Sequence, residues 1–139
     1  MARTERSVVV EAPPEKIFAV VADPETHPIW RPSATEFRAE TDEPLRVGSR
    51  LVEEVRFLGR RYRSRYEVSE LEPGRAFAVR TLEGPVGLEL RCALERLDGE
   101  RTRVTFAMES GVSLPLRLVL GWYLQDEARR LKELVESLP

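Results

Sequence analysis

The chain has one cysteine, Cys92, and one histidine, His27. A lone thiol forms no intrachain disulfide and builds no zinc site of several cysteines. Long apolar runs are missing too. Val8-Val9-Val10, near the N-terminus, is far too short for a secretory signal core. No stretch approaches the roughly 20 residues of a membrane span. The expectation is a cytoplasmic protein without stable membrane insertion. Neither sign of charge dominates: 22 basic side chains face 24 acidic ones, for a net charge of −2. That balance removes any bulk attraction to nucleic acid or anionic lipid, and no nucleic-acid partner is expected. There is no Ser-His-Asp constellation, no phosphate-binding glycine loop and no dinucleotide fingerprint. His27 lies between prolines in a loop-like segment with no Asp or Cys at ligand spacing. No cofactor and no metal are expected.

What is present reads as one soluble α+β domain spanning residues 1–139. Val8-Val9-Val10 suggests a short first strand. In Ala12-Pro13-Pro14-Glu15, prolines and an acid suit the opening of a helix, and Ile17, Phe18, Val20 and Val21 supply its apolar stripe. Pro24 stops it. Pro28 and Pro32 bracket Ile29-Trp30-Arg31, a second short helix or turn. From about Thr35 to Glu109 the period changes to two. Tyr62, Ser64, Tyr66 and Val68 alternate with Arg61, Arg63, Arg65 and Glu67. Phe77, Val79 and Thr81 continue the pattern, as do Val86, Leu88, Leu90, Cys92 and Leu94, and Val104, Phe106 and Met108. The short spacers Phe57-Leu58-Gly59, Glu72-Pro73-Gly74, Glu83-Gly84-Pro85 and Asp98-Gly99 imply hairpins, hence an antiparallel meander. From about Leu114 to Leu138 one face carries Leu116, Leu120, Tyr123, Leu124, Leu131, Leu134, Val135 and Leu138. The order is strand, two short helices, about six strands and a long helix, which is the obvious cover for the sheet's dry face.

At this point the chain resembles the helix-grip (SRPBCC) proteins of the START and Bet v 1 type, in particular the polyketide cyclase/dehydrase and lipid transport branch. The residues that carry the likeness are Ala12-Pro13-Pro14-Glu15 with Ile17-Phe18, Asp23-Pro24, Pro28-Ile29-Trp30 and Val47-Gly48. The Glu72-Pro73-Gly74-Arg75 turn and Thr102-Arg103-Val104-Thr105-Phe106 complete them. The resemblance implies a curved antiparallel sheet of six to seven strands around the C-terminal helix, with an internal cavity beneath it. It carries over no catalytic residue, because the branch holds carriers, cyclases and receptors on one fold.

On that implication the ligand-binding candidates are Trp30, Tyr62, Ser64, Tyr66, Phe77, Val79, Leu88, Leu90, Cys92, Phe106, Met108, Tyr123, Leu124 and Glu127. The alternative is an ordinary filled core in which each hydroxyl satisfies a backbone group. Glu127 sits inside the apolar stripe, among Tyr123, Leu124, Leu131 and Leu134. A carboxylate there must be paired, hydrogen-bonded or protonated. It either reaches an arginine at the sheet rim or serves a ligand as anchor, acid or base. Strand parity leaves open which of Glu53 and Glu54 points inward, and a solvated pair is the expectation. Arg60, Arg61, Arg63 and Arg65 are expected to pair across strands with Glu53, Glu54, Glu67 and Glu70. Leu118, Val119 and Trp122 lie off the core stripe. They pack against the short helices near Trp30, cover a cavity mouth, touch a membrane, or form a homodimer contact through the front of the helix. The leading functional expectation is binding or transport of a small apolar molecule. A polyketide cyclase/dehydratase-type lyase and a protein-interaction module stand as alternatives.

Overall fold

The computed structural model describes residues 2–139. Strand β1 (Ala2–Val10) leads into α1 (Pro14–Val21), a single 3₁₀ turn (Pro24–Thr26) and α2 (His27–Trp30). Six strands follow: β2 (Ala34–Ala39), β3 (Arg50–Phe57), β4 (Arg60–Glu72), β5 (Ala76–Glu83), β6 (Leu88–Arg96) and β7 (Thr102–Ser110). Helix α3 (Leu114–Ser137) closes the chain. The first strand is longer than its valine run suggests, because Ala2 to Val10 pair with Ser110 to Thr102 along the whole of β7.

All seven strands form one antiparallel sheet in the order β1-β7-β6-β5-β4-β3-β2. The first two strands in sequence therefore lie at opposite edges. The α1–α2 segment spans from one edge to the other, and α1 rests against β6 and α3 while α2 rests against β2 and α3. β4 carries register shifts between Arg65 and Tyr66 and between Val68 and Glu70. Such bulges bend a strand and strengthen its twist, which curls the sheet. α3 lies along β1 and β7. Gly121 lets it approach closely, since a Cβ there would meet the Arg6 guanidinium at 2.6 Å and the Thr4 methyl at 3.3 Å. This is the helix-grip arrangement.

The dry core sits under the second half of α3, where Ala128, Leu131 and Val135 join Val10, Ile17, Val21 and Val104. Thr102 is sealed in the same region by a 2.8 Å hydrogen bond from its hydroxyl to the Ala12 carbonyl. The β3–β4 hairpin turns on Leu58 and Gly59, both with positive φ (51° and 79°). Paired positive φ values mark the tight hairpin turn that favours Asn-Gly, so a leucine at its first central position is held in an unfavourable backbone state.

Replacing Leu58 with Asn is therefore expected to stabilise the fold by about 1 kcal/mol, read as a higher urea midpoint at constant slope. A midpoint lowered by this change would show that the leucine side chain contributes more than its backbone strain costs.

Candidate functional site

The middle of the sheet is not filled from above. A cavity of about 480 Å³ lies between β3–β7, the α2 region and the first half of α3. Trp30, Tyr62, Ser64, Tyr66, Phe77, Val79, Leu88, Leu90, Cys92, Phe106, Met108, Tyr123, Leu124 and Glu127 all line it. Strand alternation and the helical stripe put all but Trp30 on faces that meet the same space, and the resemblance supplied the expectation of a cavity there. Thr81 does not line it. Its hydroxyl instead bonds the Leu88 backbone, donating to the carbonyl at 3.3 Å and accepting from the N–H at 3.1 Å.

The polar end of the cavity joins the candidates Tyr66 and Glu127 to two residues not selected from the sequence, Arg31 and Glu53. Arg31, which directly follows α2, points its guanidinium between the sheet and α3. Its Nη1 lies 2.7 Å from Glu53 Oε2, and its Nε donates to Glu127 Oε1 at 3.3 Å. Tyr66 donates its hydroxyl to the second oxygen of Glu53 at 3.1 Å. Phe37 supports the guanidinium from the side, 5.6 Å from its ring centre. The expected solvated Glu53–Glu54 pair is thus corrected. Glu53 is 3% exposed and bound to Arg31, while Glu54 points outward and reaches Arg61 only at 3.9 Å. The register explains this: Leu51, Glu53 and Val55 stand opposite Tyr66, Ser64 and Tyr62, the inward set of β4.

His27 is the second correction. It belongs to α2 and is buried, not looped out. Its ring stacks between Trp30 and Phe37 at 4.7 and 4.5 Å. Arg31 Nη1 donates to its Nδ1 at 3.1 Å, so Nε2 must carry the proton and donates to the Val21 carbonyl at 2.7 Å. Burial, with the Arg31 charge beside it, pushes the imidazole down to about 3. Its free lone pair is already committed, which makes His27 a support for Arg31 and a poor base. Burial raises the Tyr66 hydroxyl well above its ordinary range, with Glu53 adding to the effect. Burial likewise raises the Glu127 carboxyl, Arg31 pulling it down and Glu53 pushing it up. The Cys92 thiol is pushed up to about 12 by burial and is no nucleophile.

At the other end, Phe57, Leu58, Pro85, Val86, Leu116 and Leu120 add to the lining. Leu118, Val119 and Trp122 on the front of α3 are exposed, at 64%, 38% and 64%. They do not pack against the short helices near Trp30; Trp122 meets Tyr123 edge-on, and Tyr123 stacks on Phe57. Nor do the arginines of β4 pair as expected. Of the four acids, only Glu54 meets that cluster, while Arg65 binds Glu40 and Glu83, Glu67 binds Arg80, and Glu70 binds Arg91. The β4–β5 register sets Arg65 opposite Glu83 and Glu67 opposite Arg80, and Arg91 of β6 reaches Glu70 across Ala78 of β5. None of the described helices is long and apolar enough to cross a membrane.

A curled antiparallel sheet gripping one long helix, with an apolar hollow between them, defines the START-like helix-grip class. Within it, the chain belongs to the polyketide cyclase / dehydrase and lipid transport family, whose model matches residues 1–136. A START superfamily protein from Mycobacterium smegmatis has the same fold, with a TM-score of 0.84 at 21% identity over 99% of both chains. The Zhui aromatase/cyclase from Streptomyces sp. R1128 superposes with a TM-score of 0.79 at 19% identity, over 97% of this chain and 93% of that one. An uncharacterized protein of Mycobacterium tuberculosis, MT0096, is 34% identical over 105 residues, which is 74% of this chain. The match covers 45% of that relative's own length.

Two predictions follow from the shared guanidinium and its histidine. Glu53→Gln removes the nearer counterion of a buried arginine and should cost on the order of 3 kcal/mol. Glu127→Gln leaves that ion pair in place and should cost about 1 kcal/mol or less. Chemical denaturation of the two variants checks the order, and equal losses would show that the guanidinium is divided evenly. The pH dependence has a defined sign. His27 has a lower pKa folded than unfolded, so its contribution is full above pH 6.5 and drains away as pH falls toward 3, at up to about 1.4 kcal/mol per unit. Glu127, whose value is raised, acts with the opposite sign above 4.5. The urea midpoint should fall between pH 7 and pH 5, and His27→Gln should flatten that fall. Identical slopes in the two proteins would mean that His27 titrates normally.

Proposed function

We propose that this protein binds a small, largely apolar molecule with one polar end in the cavity between sheet and α3, as a binding or transport protein. The observation that supports this is the hollow itself: about 480 Å³ walled mainly by aromatic and aliphatic side chains, with the buried ion cluster Arg31–Glu53–Glu127 at one end. Concave sites of this size, apolar with few polar groups, are where small molecules bind. Filling roughly 300 Å² of apolar surface would give about 7 kcal/mol before association costs are subtracted, which leaves micromolar affinity. The residues proposed to contact the ligand are the fourteen candidates of the sequence reading together with Phe37, Arg31 and Glu53.

A second reading, a cyclase or dehydratase acting on a polyketide-like substrate, draws on the buried Arg31–Glu53–Glu127 cluster and on the likeness to an aromatase/cyclase fold. Glu127 would be its acid or base. Its carboxyl is raised and lines the cavity, whereas His27 is committed to Arg31 and Tyr66 to Glu53. The interaction-module reading is favoured by a filled core beneath an exposed Leu118 and Trp122 patch; the patch is exposed, but the cavity weighs against that reading.

N-phenylnaphthylamine, a neutral fluorescent probe, should bind the native protein saturably and one-to-one. Leu90→Trp, which places bulk in the cavity, should abolish that binding without loss of the folded state. Absence of saturable binding in the wild-type protein would count against the cavity as a ligand site. Glu127→Gln separates the two readings, since an enzyme would lose turnover while keeping probe affinity.

A further inference from the structure

The proposed ligand site also carries a preference in the chemistry of the ligand's polar end. At that end one guanidinium faces two carboxyl groups. Both oxygens of Glu53 are occupied, one by Tyr66 and one by Arg31. Glu127 differs. Its Oε1 accepts from Arg31, but among the described residues no donor reaches Oε2. On Arg31, Nε serves Glu127 and Nη1 serves Glu53 and His27, while Nη2 makes no hydrogen bond among the described residues. Arg31 and Glu127 are 13% and 12% exposed, and both line the cavity. The unused capacity of the cluster is therefore one acceptor oxygen and one donor nitrogen.

We infer that this end of the cavity selects a neutral hydroxyl, alcoholic or phenolic, over the carboxylate of the same carbon skeleton, with Glu127 as the specificity-determining residue. A hydroxyl both donates and accepts, so it can satisfy Glu127 Oε2 and Arg31 Nη2. A carboxylate can only accept. It would bring a third acidic group against a single guanidinium in a poorly solvated space, where like charges repel strongly. The discrimination therefore arises as much from what is repelled as from what is bonded.

The inference rests on the ligand-binding reading, and a matched series separates the two. Naphthol, naphthoate and methoxynaphthalene share one apolar body. Near neutral pH the first is a neutral donor, the second an anion and the third a neutral non-donor. Each is titrated as a competitor of N-phenylnaphthylamine against wild-type protein and against Glu127→Gln. Wild-type protein should favour naphthol over naphthoate by about tenfold or more, with methoxynaphthalene between them. In Glu127→Gln the ratio should narrow by about tenfold, mainly through a gain for naphthoate. Glu127→Met is the fallback if the amide variant is poorly folded, and the wild-type ratio stands without either. Naphthoate equal to or tighter than naphthol overturns the inference and leaves the cavity reading intact. A ratio unchanged in the variant removes Glu127 as its cause. Failure of all three compounds to displace a bound probe overturns the inference alone, whereas absence of saturable probe binding overturns the ligand-binding reading itself.

Discussion

Arg31 is held by two carboxyl groups from opposite sides of the molecule, Glu53 on β3 and Glu127 on α3. A guanidinium cannot shed its proton to escape burial, so wherever it is placed it must be matched. The match here ties the end of α2 to the sheet on one side and to the gripping helix on the other. His27, Phe37 and Tyr66 then take the positions that this match requires: one accepting from Arg31, one flanking it, one completing Glu53. The rest of the cavity wall is mainly apolar.

That division shapes the hollow. Under its second half α3 is packed shut by Leu131, Val135 and their partners. Under its first half Leu116, Leu120, Tyr123 and Leu124 look onto open space. Cores close at high density wherever side chains can reach one another, and an unfilled volume loses contacts on all its walls. A hollow of this size persists because the curled sheet, bent at the β4 bulges and pinned to the helix along β1 and β7, cannot collapse onto α3. The exposed Leu118 and Trp122 beside it, and the strained Leu58 at the hairpin tip, are the other places where the chain forgoes stability. All three lie on elements that supply cavity-lining residues.

The periodicities of the sequence indicate the element order and the dry face of each element, while the expectation of a cavity between them came from the family resemblance. Alternation assigns Tyr62, Ser64, Tyr66, Phe77, Leu90 and Phe106 to one face, since neighbouring strand residues point to opposite sides. The helical stripe puts Glu127 among the residues that face the sheet, and the cost of burying a carboxyl required that it find a partner. Which partner it finds, and that Glu53 shares it, were decided only in three dimensions. Arg31 and Glu127 are 96 residues apart, and no local pattern relates them. The inward turn of Glu53 depended on the pairing of β3 with β4, where a shift of one residue would have chosen Glu54. His27 read as a loop residue because its four-residue helix is too short to show a period. It is buried by Trp30 and Phe37, whose positions follow from where α2 docks on β2. Local periodicity thus determines which side of an element is dry, while the charges within that dry space meet partners only through long-range register.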